Sequence, residues 1–144
     1  MTIKETAGKV ALYLYQLQRT VPSGMRQRQL GFLERKDGGG LALTSDKKWL
    51  TKDLLDINPT VADLLNAFMF LRDKRYIQSE ERATSAARIY VGIQLTGLGI
   101  DIIEGVERDR DGKKAFTETF NIVVDDNVNI ERLVKDHLGA LMEG

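Results

Sequence analysis

An α+β fold built on a single core is what this sequence predicts, and three observations carry that prediction. The chain has 144 residues, 42% hydrophobic and 29% charged, which supplies apolar side chains for one core within an ordinary charged surface. Stretches with the apolar period of a helix stand near both ends and in the middle, and between them residues 76–93 carry the period of strands. No apolar run approaches the roughly 18 residues a membrane-spanning helix needs. The amino end also lacks the basic and then apolar pattern of a secretion signal, so a cytoplasmic location with no membrane partner is expected.

The first helix is predicted over residues 3–18. Thr2 and Glu5 have the spacing of a capping box, and Ile3, Ala7, Val10, Ala11, Leu14 and Leu17 recur at helical period. Pro22, Ser23 and Gly24 stop it. The stretch that follows has no helical period; Leu30, Phe32, Leu41 and Leu43 alternate around Asp37 to Gly40, which fits either a hairpin with a glycine turn or a mobile insertion. Trp49 and Leu50 read as a short strand, Thr51 as the cap of a short helix with Leu54, Leu55 and Ile57, and Asn58 before Pro59 as the start of a third helix. Val61, Leu64, Leu65, Phe68 and Leu71 form the inward stripe of that helix, which runs to about Asp73.

Tyr76 to Gln78 and Arg88 to Ile93 read as a hairpin with a polar turn over Glu80 to Thr84, and Ile89, Val91 and Ile93 on one face. Thr96 then caps a helix that presents Leu98, Ile102, Ile103 and Val106 inward, with Gly99 permitting a close neighbour. Asp109 to Lys114 reads as a charged turn. Phe116, Phe120, Ile122 and Val124 alternate as in a strand, and a last helix opens near Asp126 or Asn127 with Ile130, Leu133, Val134, His137, Leu138 and Leu141 along one side.

Several chemistries are excluded by composition. Without cysteine there is no disulfide, thiolate nucleophile or cysteine zinc site, and the single His137 rules out a multi-histidine metal centre. No catalytic pair stands out, and no cofactor is expected. Asp109 to Lys114 lacks the spacing of a calcium loop, the triple glycine lacks a following Gly-Lys-Ser or Gly-Lys-Thr, and Gly97 with Gly99 lacks a third dinucleotide-spaced glycine. Charge is balanced only in total, at +6 over residues 1–52 and −6 over residues 53–144. Such asymmetry suits an acidic partner such as nucleic acid, and it also suits two copies attracting each other.

Helix, short strand, short helix, tight turn, helix, hairpin and closing helix is an order similar to that of winged helix-turn-helix domains. Trp49 to Leu55 resembles the strand and second helix of that superfamily, and Asn58 to Ile77 resembles its third helix running into a basic turn and a strand. Leu95, Thr96 and Gly99 resemble the end of the wing in bacterial or phage-type regulators. The resemblance implies a winged-helix core over residues 3–107 with an insertion at about 20–48, and leaves 115–142 as a carboxy-terminal strand-helix extension of one domain, 1–144.

The function this implies is a non-enzymatic, double-stranded DNA-binding transcriptional regulator acting as a homodimer. Its third helix would enter the major groove, yet the outward side carries Thr60, Asp63, Asn66, Ala67, Phe70 and Asp73, with only Arg72, Lys74 and Arg75 basic at the far end. Arg82 and Arg88 belong to the expected wing. Further phosphate contacts are expected from Arg26, Arg28, Lys47, Lys48 and Lys52, in or beside the insertion. Phe116, Phe120, Ile122, Val124, Ile130, Leu133, Val134, His137, Leu138 and Leu141 form the expected dimer element, as a surplus of apolar surface. An alternative of another class is an interaction module whose acidic and apolar third helix docks a protein and no nucleic acid; Met69 and Phe70, partly exposed in this register, mark an apolar spot to be covered by residues beyond 115 or by another chain.

Overall fold

A computed structural model describes residues 2–20, 31–35, 41–42, 61–83 and 87–138, and over them the chain is mixed α and β. Helix α1 spans Ile3–Thr20, opened by the Thr2 hydroxyl, which accepts the Glu5 amide at 3.1 Å. The one-sided stripe expected for it is too narrow. Val10, Ala11, Leu12, Tyr13 and Leu14 are buried in unbroken succession, and Ile3 at the helix start is exposed. Consecutive helical residues point about 100° apart, so burial of five in a row means that α1 is covered from several sides.

Four strands form one antiparallel sheet: β1 at Gly31–Arg35, β2 at Leu41–Ala42, β3 at Ile77–Ala83 and β4 at Ala87–Leu95, ordered β2-β1-β4-β3. Of the two readings open for residues 30–43, the described residues show the paired strands of a hairpin, joined to the sheet through β1 and β4, and its expected glycine turn lies outside them. The expected strand at Trp49, the short helix after it and the start of the next helix at Asn58 lie outside the described residues.

The second hairpin departs from its sequence pattern in two ways. Glu80, Glu81 and Arg82, expected in a polar turn, are paired residues of β3. The register also shifts: from Gln78↔Gln94 to Glu80↔Val91 β3 advances two residues and β4 three. Such a bulge reverses the alternation, so Tyr90 lies fully buried on the same side as Ile93 and Leu95, where the alternation had placed Val91 and Ile89.

Helix α2 spans Val61–Asp73 and packs on α1. Beyond the sheet come α3 at Gly97–Arg108, α4 at Arg110–Phe120 and α5 at Ile130–Leu138. The charged turn at 109–114 and the first part of the strand at 116–124 are thus corrected to a helix, and residues 121–124 lie in no strand. Asp109 caps it, accepting the Gly112 amide at 2.6 Å, and in a helix Phe116 and Phe120 share one face as positions i and i+4 just as well as they would alternate. Their rings stack edge to face with centroids 5.0 Å apart. Gly112 meets the backbone of Gly105 so closely that a Cβ would overlap the Gly105 carbonyl, while the Lys113 ammonium reaches the Val106 carbonyl at the end of α3.

Helix α5 begins later than expected, at Ile130, because Asn129 is its cap: the Arg132 amide donates to Asn129 Oδ1 at 2.8 Å. A second cap comes from another helix, as Glu107 of α3 accepts the Ile130 amide at 3.1 Å. Leu98, expected inward, is 54% exposed; Ile103 and Val106 are buried as expected, and Ile102 is half-buried.

The dimer element is corrected in the same way. Phe116, Phe120, Ile122, Ile130, Leu133, Val134 and Leu138 are all buried within the chain, Val124 is half-buried against the same core, and Leu141 lies outside the described residues. The apolar surface of the buried ones is taken up by contact with α1 and α3. His137 is half-buried on α5. Burial lowers its pKa from the ordinary 6.5, and Lys9 of α1 adds to this against weaker opposing pulls from Asp136 and Glu5.

Two outcomes follow from this packing. Gly112→Ala should destabilise the fold by about 1–3 kcal/mol through overpacking, whereas Gly97→Ala, where a Cβ meets nothing within 4 Å, should leave it unchanged or slightly firmer; thermal denaturation of both variants checks this. Because the pKa of His137 is lower folded than unfolded, its contribution is complete above 6.5 and is lost as pH falls through the folded value. The melting temperature should therefore drop on acidification below that point in the natural chain and drop less in His137→Gln.

Candidate nucleic-acid interface

The surface in question is built where α2 ends. In α2 the residues Ala67, Phe68 and Leu71 are buried, Leu65, Met69 and Phe70 are half-buried, and Asn66 and Asp73 are exposed; Asp63 is half-buried. Ala67 and Phe70 were expected to face outward. They do not because α2 is covered on two flanks, by α1 and by the β3–β4 hairpin, where the rings of Phe68 and Tyr90 stand 4.9 Å apart. Met69 and Phe70 pack against the chain's own core.

The end of α2 is a Schellman arrangement. The Tyr76 amide donates to Leu71 O and the Arg75 amide to Arg72 O, both at 2.9 Å, and Arg75 is left-handed with φ 63°. Glycine is the usual occupant of that position, and for an arginine the conformation costs about 1–2 kcal/mol. It is held by the next segment. Thr96 donates its hydroxyl to Arg75 O at 2.6 Å, donates its amide to Tyr76 O at 3.0 Å, and accepts the Gly99 amide at 3.1 Å as the cap of α3. Gly99 lies against Tyr76 so tightly that a Cβ would overlap the Tyr76 carbonyl oxygen. The Gln18 side-chain oxygen Oε1 accepts the Leu95 amide at 2.6 Å, which ties the end of α1 to the same junction.

The cations at this junction differ in their surroundings. Arg72 is half-exposed, its guanidinium 5.9 Å from the centre of the Tyr90 ring and 3.8 Å from the Glu81 carboxylate. Lys74 is exposed and lies 5.9 Å from the Phe70 ring; Arg75 is exposed, and among the described residues neither has an ion-pair partner. Arg82 and Arg88 are placed by their backbones in β3 and β4, next to each other's partners in the pairs Arg82↔Ile89 and Ala83↔Arg88. Arg26, Arg28, Lys47, Lys48, Lys52 and Thr60 lie outside the described residues. The structure therefore brings Arg72, Lys74 and Arg75 to one turn, with Asn66 on the helix leading into it.

Sequence reasoning missed the parts that hold this turn. Nothing in the residue pattern marks Arg75 as left-handed, since Gly or Asn is the usual signal, and Glu81 was assigned to a loop. The Leu95, Thr96, Gly99 spacing was visible, and its local role is now defined as the clasp on the Arg75 turn. Among the described residues no three His, Cys, Asp or Glu side chains come together as a metal-ion site. No helix of the described residues is long and apolar enough to cross a membrane. Comparison of the chain with protein-family profiles, with curated proteins and with solved structures found no match.

Thr96→Ala removes one hydroxyl that serves two backbone groups, and should cost about 0.5–2 kcal/mol in urea denaturation, while Thr96→Ser should keep most of that stability.

Proposed function

We propose that this chain is a non-enzymatic winged-helix domain that binds double-stranded DNA as a transcriptional regulator, with α2 and the basic turn after it against the duplex. The observation that carries the reading is the fixed turn at Lys74 and Arg75: two exposed cations, without carboxylate partners among the described residues, on backbone clasped by Thr96. A preordered cation loses little freedom on meeting a phosphate, and each phosphate neutralised releases counterions. The order of helix, two paired strands, helix, hairpin and helix among the described residues is compatible with the reading, and the pairing of β1 with β4 gives the hairpin and the chain before α2 a common sheet.

The competing idea, a protein-docking module, drew on an acidic and apolar third helix, of which Met69 and Phe70 are half-buried against the chain's own core. Asn66, Asp73 and the turn remain exposed in this part of the fold. The proposal includes no dimer through residues 115–142, where most of the apolar side chains among the described residues pack in the chain's own core, Val123 excepted.

The test is binding of a labelled mixed-sequence duplex over a salt series. Affinity should fall steeply with salt, and Lys74→Gln and Arg75→Gln should each weaken binding to all sequences and reduce the log-log slope by about 0.9. Asn66→Ala should change preference among sequences more than affinity, and reversing Lys47 and Lys48 to glutamate should weaken binding more than Asn66→Ala does. Binding that is absent, or indifferent to salt, overturns the proposal.

A further inference from the structure

One cation of the turn is already engaged. Phe68 and Arg72 stand one helical turn apart on α2, and both meet Tyr90 of β4. Tyr90 is opposite Glu81 across the β3–β4 ladder, and Glu81 is the carboxylate that faces the Arg72 guanidinium. The pair is loose: 3.8 Å at its closest, with about a third of the Arg72 side chain and more than two fifths of the Glu81 side chain exposed. Screened contacts of this kind are weak, whereas a phosphate offers an arginine two parallel, charge-assisted hydrogen bonds. The ring of Tyr90 beneath the guanidinium is a support that does not depend on the carboxylate.

We infer that Glu81 is an internal competitor of the DNA phosphate for Arg72, a contact that tempers the affinity of the α2 turn for any duplex. This rests on the DNA-binding reading above and adds a regulatory element to its site. In the free chain Arg72 stands in a loose pair with Glu81. On the duplex the guanidinium exchanges the carboxylate for a phosphate oxygen, and the rupture of the loose pair subtracts from the binding free energy. Lys74 and Arg75 carry no such cost, so they supply the salt-dependent attraction while Arg72 is released only on close approach.

The experiment is a double-mutant cycle of duplex affinity with the full chain: natural, Glu81→Gln, Arg72→Gln and the pair together, with Glu118→Gln of α4 as a control for general charge. Glu81→Gln should tighten binding roughly two- to five-fold, the fold-change that a weak exposed ion pair allows. That gain should vanish in the Arg72→Gln background, and Glu118→Gln should leave affinity near that of the natural chain. Circular dichroism melts establish that each variant is folded. Natural binding with no gain from Glu81→Gln, or a gain of equal size without Arg72 or from Glu118→Gln, overturns the competitor role and leaves the DNA reading standing; failure of every folded variant and the natural chain to bind overturns both.

Discussion

Enclosure of α1 is the constraint on which the rest of the molecule depends. A helix that buries five residues in succession cannot be served by one neighbour, and α1 is in contact with α2, α3, α4, α5 and β4. Each of those elements is amphipathic and finds its cover there. Tyr13 and Leu12 fill directions that a single-stripe helix would leave in water, and so the helices after the sheet can pack on the same core as α2. In physical terms the carboxy-terminal third of the chain is the far wall of the core, since removing it would expose Phe116, Phe120, Leu133 and Leu138 together with the side of α1 that they cover.

How far the sequence was legible depended on whether a local rule had one solution. The cap at Thr2, the period of α1, the Thr96 cap with its Gly99 approach, and the hairpin after Tyr76 were readable because each combines a specific residue with a specific spacing. The stretch 109–124 was not. Phenylalanines four apart satisfy both a helical face and an alternating strand, and the deciding signals were Asp109 as a cap and Gly112 as a contact with Gly105, a neighbour that only the folded chain supplies. Tyr90 shows a different failure, because one extra residue in β4 exchanges the two faces of the strand, and no period-two reading survives a bulge it does not know about.

The candidate interface was legible in its charges and obscure in its framework. Arg72, Lys74 and Arg75 stand out in the sequence as the basic end of a helix, yet what distinguishes them is their environment: one guanidinium between a tyrosine ring and a carboxylate, one ammonium beside a phenylalanine ring, and one arginine on a left-handed backbone. A residue pattern records the charge and omits the company it keeps. The left-handed arginine also explains why Thr96 must do two things at once, since the strain at Arg75 persists only while the surrounding hydrogen bonds over-determine it.

Asp109 joins α3 to α4 with no spacer. Its amide donates back to Gly105, its carbonyl accepts from Lys113 and its side chain accepts from Gly112, so one residue ends one helix and begins the next. Two helices coupled this way share an angular phase. Adding or deleting a single residue at the joint would turn α4 by about 100° about its own axis and carry Phe116 and Phe120 out of the core, so chain length at this point is fixed to the residue. Substitution can drift on the exposed positions of α4, but insertion and deletion are closed to the chain between Gly105 and Gly112.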